Sequence, residues 1–397
     1  MTILPRGKLT TMNRRALLKL VARAGAAALA APMVNLGRYQ LLARSTTEYS
    51  ARAIDLVQRS LVVDMLGPLT LDPDLEARWL SNPESLTTAE ARVFRESGIS
   101  VFNLGGGGGG RNAYARNLDF VAKWNGFIAD RGDIFTRVDS PADLKSLKSS
   151  GKLGILIGVQ NADHFQTLDD VDYFRGLGLR VAQLTYNTRN LIGSGATERR
   201  DDGLSDYGVA IVERMNKAGV AVDVSHCGDR TTLDAFEASK RPVLITHSNC
   251  RALVPGHPRL KTDEAIKKMA ATGGVMGISG MRMFVRDREP TTIEHVLDHF
   301  DHVAKLVGVE HVGFGSDSDL YGYDKLPPEV IARMRAGYKG SYGLREKIDI
   351  EGLNHPKRVY DLTEGLLRRK YSARHIELIL GGNFKRVLSQ AWFTYKH

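Results

Sequence analysis

The chain has 397 residues, of which 43% are hydrophobic and 25% are charged, and it contains 40 glycines, 13 prolines and two cysteines. This composition excludes a disordered chain, a collagen-like repeat and a disulfide-stapled scaffold, and the length allows one large barrel or two mid-sized domains. The 55 lysines and arginines exceed the 45 aspartates and glutamates, which gives a formal net charge of +10.

The excess positive charge lies at the N-terminus. No acidic residue precedes Glu48, whereas eight lysines and arginines do. Without those eight, 47 basic residues stand against 45 acidic ones, so the rest of the chain is almost neutral. A nucleic-acid partner requires a basic surface on the folded part of a protein. The charge distribution therefore predicts that the protein does not bind nucleic acid.

Residues 1–47 resemble a twin-arginine export signal followed by a linker. Arg14 and Arg15 precede two leucines, and residues 24–37 form an uncharged stretch of 14 residues. A membrane span needs about 20 residues, so this stretch is too short to be one. Small residues around Ala30 offer a cleavage site. The segment predicts an exported, periplasmic bacterial protein, or a weak membrane tether if it stays uncleaved. An amphipathic surface helix is the alternative.

Eight short apolar runs follow residue 48, and each ends in a small or polar residue. They are residues 61–64, 99–103, 154–160, 180–186, 220–226, 242–247, 274–279 and 311–317. Runs rich in Val and Ile without strict alternation are typical of parallel strands buried on both faces. Amphipathic segments lie between them, for example 206–217, 229–239 and 263–271, each beginning with an aspartate that could cap a helix.

Eight such units predict an α/β fold, a single (β/α)8 TIM barrel over residues 48–397. A doubly wound sheet is the alternative, although no GxGxxG motif follows the first run.

Gly105–Gly110 are six consecutive glycines. They predict either a mobile loop that accommodates a ligand or an unpacked low-complexity loop. The long excursion over residues 320–358 contains four tyrosines and could be a lid or a subunit contact, for example in a homodimer.

The residues that end these runs are the candidates for chemistry, because the active site of such a barrel lies at the carboxyl ends of its strands. The fifth and sixth runs end in His226 and His247, and the eighth ends in Asp317. Adjacent parallel strands lie about 4.8 Å apart, so the two imidazoles can converge on one ion. Zinc accepts imidazole and carboxylate ligands and lowers the pKa of a bound water toward 7. This pattern predicts a zinc site.

Several motifs occur in an order that points to a known family. They are Val222–His226, Ile245–Asn249, Arg259, Gly273–Gly277, Gly313–Asp319 and Gly381–Leu388. Together they resemble the membrane (renal) dipeptidase family of zinc metallopeptidases, from about Leu61 to the C-terminus. The resemblance implies a (β/α)8 barrel that hydrolyses dipeptides with two zinc ions bridged by a carboxylate and a water.

Carried over by position, the resemblance assigns roles to four residues. His226 and His247 match the two histidines of the second metal site. Arg259 matches the arginine that holds the substrate carboxylate. Asp317 matches the catalytic aspartate, which meets the substrate amine and handles protons.

Four other positions depart from the family pattern. Leu66 and Pro68 stand where the first strand should supply His-x-Asp, Gln160 replaces the bridging glutamate, and Tyr186 replaces the substrate-binding histidine. A glutamine brings no negative charge to offset the repulsion between two close cations. The departures imply that the first metal site is lost and that one zinc remains, with Gln160 as a further, weaker ligand. Tyr186 keeps the substrate-binding position.

Other residues near these positions could substitute as ligands. Asp64 ends the first run, and Asp163 and His164 follow Gln160. Cys227 and Cys250 lie close to the two histidines and are predicted to be small buried cysteines, with a soft metal ligand or a disulfide as alternatives.

Two functions stay open at the level of sequence. The first is a metallodipeptidase-like hydrolase that cleaves dipeptides or a related small amide with one metal ion. The second is an exported barrel that has lost this chemistry and binds a ligand. A different amidohydrolase-type barrel is less favoured, because the first run also lacks the His-x-His of that class.

Overall fold

A computed structural model of the protein describes residues 38–40 and 48–392. The predicted twin-arginine motif and its cleavage site lie outside the described residues. The N-terminal unit, Met1–Ala51, contains an antiparallel pair of β1 (Arg38–Gln40) and β2 (Glu48–Ser50). In the described part of the chain, no helix combines the length and the apolar character that crossing a membrane requires.

The second unit, Arg52–His397, contains a ring of parallel strands. The strands are β3 (Val63–Asp64), β4 (Val101–Asn103), β6 (Leu153–Leu156) continued by β7 (Gly158–Val159), β8 (Val181–Gln183), β9 (Ala221–Asp223), β10 (Leu244–Ser248), β11 (Val275–Ile278) and β12 (Val312–Phe314). One sheet contains β3, β4 and β6 in that order, and the other has the order β12-β11-β10-β9-β8-β7. β5 (Phe135–Arg137) pairs with β6 outside the ring.

The ring closes between its first and last strands. Met65 N donates to Phe314 O at 3.1 Å, and Asp317 N donates to Leu66 O at 2.8 Å. All eight predicted runs contribute a strand to this ring, so the barrel is confirmed. β5 was not predicted as a strand.

Helices surround the ring. They are α1 (Ala51–Arg59), α2 (Pro73–Ser81), α3 (Thr88–Glu96), α4 (Ala113–Asp130), α5 (Pro141–Ser150), α6 (Leu168–Gly176), α7 (Asp206–Ala218), α8 (Asp229–Ala238), α9 (Asp263–Ala271), α10 (Arg282–Val285), α11 (Ile293–Val307), α12 (Pro328–Ala336), α13 (Arg358–Arg368), α14 (Ala373–Glu377) and α15 (Asn383–Ala391). Shorter helical turns are Pro83–Ser85, Val309–His311, Gly340–Tyr342 and Leu378–Gly382.

The three predicted amphipathic helices are α7, α8 and α9, but their aspartates do not cap them. Each aspartate is the first helical residue, and the cap is the residue before it. The Ser205 side chain accepts from Gly208 N in α7, and the Thr262 side chain accepts from Ala265 N in α9. A short hydroxyl reaches these amides, while the aspartate next to it favours the positive end of the helix dipole.

The C-terminal motif Gly381–Leu388 closes the end of the barrel opposite the site. Asn383 Nδ2 donates to the carbonyls of Val309 and Val312, each at 2.8 Å. Phe384 packs with buried residues at the starts of the strands. A side chain at Gly313 would collide with the Phe384 ring, since its Cβ would lie 2.4 Å from that ring. This motif therefore stabilises the fold and lies away from the candidate site.

Part of the run Gly105–Gly110 packs against neighbouring side chains, whereas Gly110 has open space around it. A Cβ at Gly105 would lie 1.9 Å from Leu66, one at Gly106 would lie 2.0 Å from Phe120, and one at Gly109 would lie 2.1 Å from Asn161. Backbone hydrogen bonds join Gly106 to Gly158 and Gln160 at 3.0 and 3.1 Å. Glycine is needed at these three positions because the backbone passes close to neighbouring side chains.

The excursion over residues 320–358 packs onto the barrel. Its Tyr342 and Ile348 belong to a buried apolar cluster with Leu260, Met283 and Phe284. Lys339 anchors the segment further by donating to the carbonyl of Thr197 at 3.1 Å. The excursion therefore forms part of the wall around the candidate site.

Candidate active site

His226 and His247 meet at the carboxyl ends of β9 and β10. Their Nε2 atoms lie 2.9 Å apart, and both side chains are buried. Burial lowers the pKa of each imidazole well below the ordinary 6.5, and the nearby Arg259 guanidinium lowers it further. Both histidines are therefore neutral at physiological pH. The structure confirms that the folded chain brings the two predicted histidines together.

The other nitrogen of each imidazole has its own partner. His226 Nδ1 lies 2.8 Å from the side-chain oxygen of Asn187, and this contact is a hydrogen bond when His226 carries its proton on Nδ1. His247 Nδ1 lies 2.8 Å from Thr246 Oγ1. Thr246 Oγ1 in turn donates its single proton to Asp223 Oδ2 at 2.7 Å.

The Thr246 hydroxyl therefore accepts from His247 when Asp223 is ionised. Burial raises the pKa of Asp223, and hydrogen bonds from Ser225 and Thr246 oppose that rise. When both Nδ1 atoms carry the ring protons, both Nε2 atoms are unprotonated and available as metal ligands. Such a pair is suited to share a cation, and hydrogen bonds to Nδ1 are the usual means of orienting a metal-ligating histidine.

A layer of three tyrosines, Tyr186, Tyr338 and Tyr342, covers the histidine pair. The Tyr186 ring stacks on His226 with 4.2 Å between ring centroids, and the Tyr186 hydroxyl lies 2.7 Å from that of Tyr338. Tyr338 stacks on Tyr342, also at 4.2 Å. This tyrosine layer joins the fourth strand of the ring to the excursion.

A cavity of about 300 Å³ lies on the other side of the tyrosine layer. It is lined by Leu66, Pro68, Leu71, Glu76, Leu104, Gly105, Gly106, Phe120, Trp124, Gln160, Tyr186, Met281, Asp317, Tyr323, Leu326, Val330, Met334, Tyr338 and Tyr342. Three predicted site residues, Gln160, Tyr186 and Asp317, are among them. His226, His247 and Arg259 are not, so the cavity and the histidine pair are separate features.

Asp317 directs a buried carboxyl group into this cavity. Its φ of 61° lies in the left-handed region, which is costly for a residue with a side chain. Its Oδ2 atom is buried and has no hydrogen-bond partner. Burial raises the pKa of Asp317 to about 7, Arg259 opposes this rise and Asp64 adds to it. A carboxyl group with this pKa can exchange a proton near neutral pH.

Arg259 is fully buried and bonded within the protein. Its Nη2 donates to His247 O at 2.8 Å, and its Nη1 donates to Ser225 O and to Ser248 Oγ. The guanidinium thus ties together the ends of β9 and β10, which carry the histidines. The predicted contact with a substrate carboxylate is not tested by this arrangement.

The end of the first strand is occupied by an ion pair that the sequence did not predict. Arg358 Nη2 lies 2.7 Å from Asp64 Oδ2, and both side chains are 0% exposed. Arg358 also donates to Ser316 Oγ at 2.9 Å and to Ser318 O at 3.1 Å. Asp64 is therefore bound to a guanidinium, and the idea that it serves as a metal ligand is corrected.

The remaining substitute ligands lie elsewhere. His164 is buried beside Phe165 and Phe174, with ring centroids 4.2 and 4.5 Å from its own, and burial lowers its pKa to about 4. Asp163 accepts a hydrogen bond from Gly110 N in the glycine loop. Cys227 and Cys250 are both buried and free, as predicted, and form no disulfide.

The comparison with protein families decides the assignment. The family model of the membrane dipeptidases, peptidase family M19, matches residues 94–329. The chain belongs to this family. The resemblance drawn from the sequence motifs is thereby confirmed.

Individual relatives in the dipeptidase family agree with this result. Dipeptidase tcpJ of Claviceps purpurea is 28% identical over 279 residues, which are 69% of this chain and 59% of that protein. Dipeptidase verJ of Clonostachys rogersoniana is 38% identical over 174 residues, 43% of this chain and 44% of that protein. The chain thus spans about half the length of the curated relatives it matches.

Solved structures show the same fold. A crystal structure of an amidohydrolase from Pseudomonas aeruginosa has a TM-score of 0.71 and 29% identity, and the match covers 86% of this chain and 99% of that chain.

Family M19 implies a metal ion, and the residues present supply two nitrogen ligands for one of its two sites. Two nitrogens bound to one tetrahedral zinc lie about 3.3 Å apart, close to the 2.9 Å between the two Nε2 atoms. The first site does not fit, because Leu66 and Pro68 offer no ligand atom and Arg358 holds Asp64. Within residues 48–392, no group of three or more His, Cys, Asp or Glu side chains forms a metal cluster.

Proposed function

We propose that the protein is a dipeptidase-type hydrolase that cleaves dipeptides or a related small amide with one zinc ion. The observation that carries this proposal is the approach of His226 Nε2 and His247 Nε2 to 2.9 Å at the carboxyl ends of adjacent strands. The reaction adds one water across an amide, so that the C–N bond breaks and a carboxylic acid and an amine are formed.

The proposed mechanism assigns a task to each residue of the site. His226 and His247, oriented by Asn187 and Thr246, would hold the ion. A bound zinc ion supplies polarisation of the scissile carbonyl and a lowered pKa for water. Asp317 would take the proton of the attacking water and return it to the leaving nitrogen, which its pKa of about 7 suits.

Arg259 and Tyr186 have supporting roles in this proposal. Arg259 positions the histidines by holding the carbonyls of Ser225 and His247. Tyr186 forms the boundary between the histidine pair and the cavity, so its ring would have to shift for substrate to reach the ion. The apolar wall of the cavity excludes water from the bound substrate.

The zinc content and the dipeptide hydrolysis of purified protein test this proposal together. We expect about one zinc per chain in the wild type, as for a single-zinc hydrolase. His226→Ala should lose both the zinc and the activity, because one lone pair cannot hold the ion alone. His375→Ala, at an exposed histidine on α14, is the matched control and should change neither. A metal-free wild type that cleaves no dipeptide would refute the proposal.

A ligand-binding barrel without catalysis is the second candidate. The observations that favour it are the arginine in the first metal site and the tyrosine layer over the histidines. Under this alternative, a chelator would leave ligand binding in the cavity unchanged and added zinc would not produce hydrolysis.

We also propose export to the periplasm, on the support of Arg14–Arg15 and the uncharged stretch 24–37. Fractionation of cells that express the wild type and an Arg14→Lys, Arg15→Lys variant tests this proposal. The variant should stay in the cytoplasm. Wild-type protein in the membrane fraction would indicate the weak tether instead.

A further inference from the structure

We infer that the cavity contains an apolar subsite that receives one bulky apolar side chain of the substrate, such as that of leucine or phenylalanine. The wall of this apolar subsite consists of Leu66, Pro68, Leu104, Phe120 and Trp124. The assignment rests on the proposed function for the reaction and adds to it the side-chain class of the substrate. The binding step itself stands on the cavity alone.

The first step is the position of two residues that depart from the family pattern. Leu66 and Pro68 stand where the resemblance expects two metal ligands, and both line the cavity. The backbone of Leu66 is fixed, because its carbonyl accepts from Asp317 N at 2.8 Å and from Ser316 Oγ at 3.0 Å. An isobutyl group and a pyrrolidine ring therefore occupy the place of polar ligands.

The second step is the close packing of the glycine loop on this wall. A Cβ at Gly105 would collide with Leu66, and one at Gly106 would collide with Phe120. The ring of Phe120 meets that of Trp124 edge-on, with 6.5 Å between the centroids. Leu66 and Trp124 are both buried. Because such packed side chains have little freedom to move, the subsite has a fixed shape before a ligand binds.

The third step is a second group of apolar side chains, which the excursion supplies. Leu326, Val330 and Met334 line the same cavity. Val330 and Met334 lie four residues apart on α12, so their side chains share one face of the helix. A ligand side chain would therefore contact apolar groups of both the barrel and the excursion, and burial of its apolar surface would favour binding.

The two acidic residues of the cavity wall each have a neighbour in the protein. Burial raises the pKa of Glu76, and Trp124 opposes that rise. Burial also raises the pKa of Asp317, to about 7, and Arg259 opposes it. The remaining lining residues are apolar side chains, glycines, tyrosines and Gln160. Apolar contact is therefore the main interaction that the lining offers to a ligand side chain.

The volume of about 300 Å³ limits the size of the ligand. It lies at the lower end of ligand pockets, so it suits a small substrate with one large side chain. A glycine residue of the substrate would leave the apolar wall uncovered. A glutamine side chain would lose its hydrogen bonds to water without replacement. The class that fits is a bulky aliphatic or aromatic side chain.

Calorimetric binding of neutral amino acid derivatives to the full chain, without added metal, tests the subsite. The probes are N-acetyl-L-leucinamide, N-acetyl-L-phenylalaninamide, N-acetylglycinamide and N-acetyl-L-glutaminamide, which differ only in the side chain. We expect the leucine and phenylalanine probes to bind at least about tenfold more tightly than the other two, since burial of a large apolar side chain is favourable. Equal affinities, or no binding of the leucine probe, would overturn the inference.

A matched pair of variants in the loop after β3 tests the barrel side of the subsite. Leu66 and Leu69 are both buried, but Leu69 lines a different cavity, next to Trp79. Leu66→Ala enlarges the subsite and should raise the preference for the phenylalanine probe over the leucine probe at least about threefold. Leu69→Ala should leave this preference unchanged. The ratio of two affinities on one protein does not depend on its folded fraction, so an unchanged ratio in Leu66→Ala would contradict the assignment.

A second pair of variants on α12 tests the excursion side. Val330→Trp places a large ring in the cavity and should weaken binding of the leucine probe at least about tenfold. Ala332→Trp, at an exposed position of the same helix, should bind the probe as the wild type does. Thermal unfolding of both variants verifies that they are folded. Equal affinities in the two folded variants would show that the excursion does not border the subsite.

The outcomes separate this inference from the proposed function. If the leucine and phenylalanine probes bind as expected but the zinc-loaded wild type hydrolyses no dipeptide, the hydrolase proposal fails and the apolar subsite stands. If dipeptides of glycine and of leucine are hydrolysed with equal kcat/KM and all probes bind alike, the apolar subsite is wrong and the hydrolase proposal stands.

Discussion

The two sides of the barrel mouth handle charge in opposite ways. At the end of β3, Asp64 is neutralised by Arg358, and the guanidinium has further partners in Ser316 and Ser318. At the ends of β9 and β10, burial lowers the pKa values of His226 and His247, so both are neutral, and their Nε2 atoms lie 2.9 Å apart. One side is neutralised by an arginine of the protein, and in the proposed function the other side would receive a metal ion.

The difference shows what the loss of a metal site requires. A buried carboxylate cannot stay unpaired, and a guanidinium provides a fixed positive charge with several donors. Neutral imidazoles need no charged partner, so a buried histidine pair is tolerated when no metal ion is bound. The three predictions below test this comparison, from the largest expected effect to the smallest.

Removal of the Arg358 guanidinium should lower the free energy of unfolding by the largest amount. Arg358→Met leaves Asp64 buried and unpaired, and we expect a loss of about 3–5 kcal/mol in the free energy of unfolding. The double variant Asp64→Asn, Arg358→Met should lose clearly less, because no charge is left without a partner. Urea unfolding measures both, with Arg374→Met at an exposed position as the control. Equal losses in the single and the double variant would contradict the comparison.

The stability of the zinc-free protein should depend on pH through Asp317. Its pKa of about 7 in the folded chain lies above the ordinary 3.8. Between these two values the folded state keeps a proton that the unfolded state has released. The Asp317 contribution to stability is therefore full below pH 4 and falls as the pH rises toward 7, by about 1.4 kcal/mol per pH unit.

Urea unfolding at pH 4.5 and pH 7 of the wild type and of Asp317→Asn measures this dependence. The variant should lack the Asp317 contribution to the slope, whereas Asp287→Asn, at an exposed aspartate, should retain it. Parallel curves for the wild type and Asp317→Asn would show that burial does not hold this proton.

The orientation of His247 should affect zinc affinity. Thr246→Val keeps the shape of the side chain but removes the acceptor for His247 Nδ1, which lies 2.8 Å away. We expect zinc affinity to fall about tenfold to hundredfold, as is typical for the loss of a partner of a metal-ligating histidine. Thr246→Ser retains the hydroxyl and should bind zinc as the wild type does. A competition titration with a chromogenic chelator gives both affinities, and an unchanged Thr246→Val would contradict the proton arrangement.

Much of the fold and part of the candidate site could be predicted from the sequence. The eight apolar runs placed the strands of the ring, because parallel strands are buried on both faces and must be apolar throughout. His226, His247 and Asp317 were identifiable because they end such runs. Asp223 and Thr246 lie within the same runs, but their role as partners of His247 depends on hydrogen bonds that spacing does not show.

Other features had no signal in the sequence. Arg358 lies 294 residues from Asp64, and only the closed ring brings the two together. Glu76 has the appearance of an ordinary solvent-facing residue on an amphipathic helix. The glycine loop was open to two interpretations, since glycine indicates conformational freedom but not what lies beside it.

The sequence by itself determined the family, the barrel and the two metal-type histidines, because these depend on residue type and on order along the chain. Only the tertiary structure decided which cation neutralises Asp64, what covers the histidines and which charges face the cavity. These features depend on distances between side chains that are remote in sequence. Such distances follow from the closure of the ring and from the path of the excursion over its mouth.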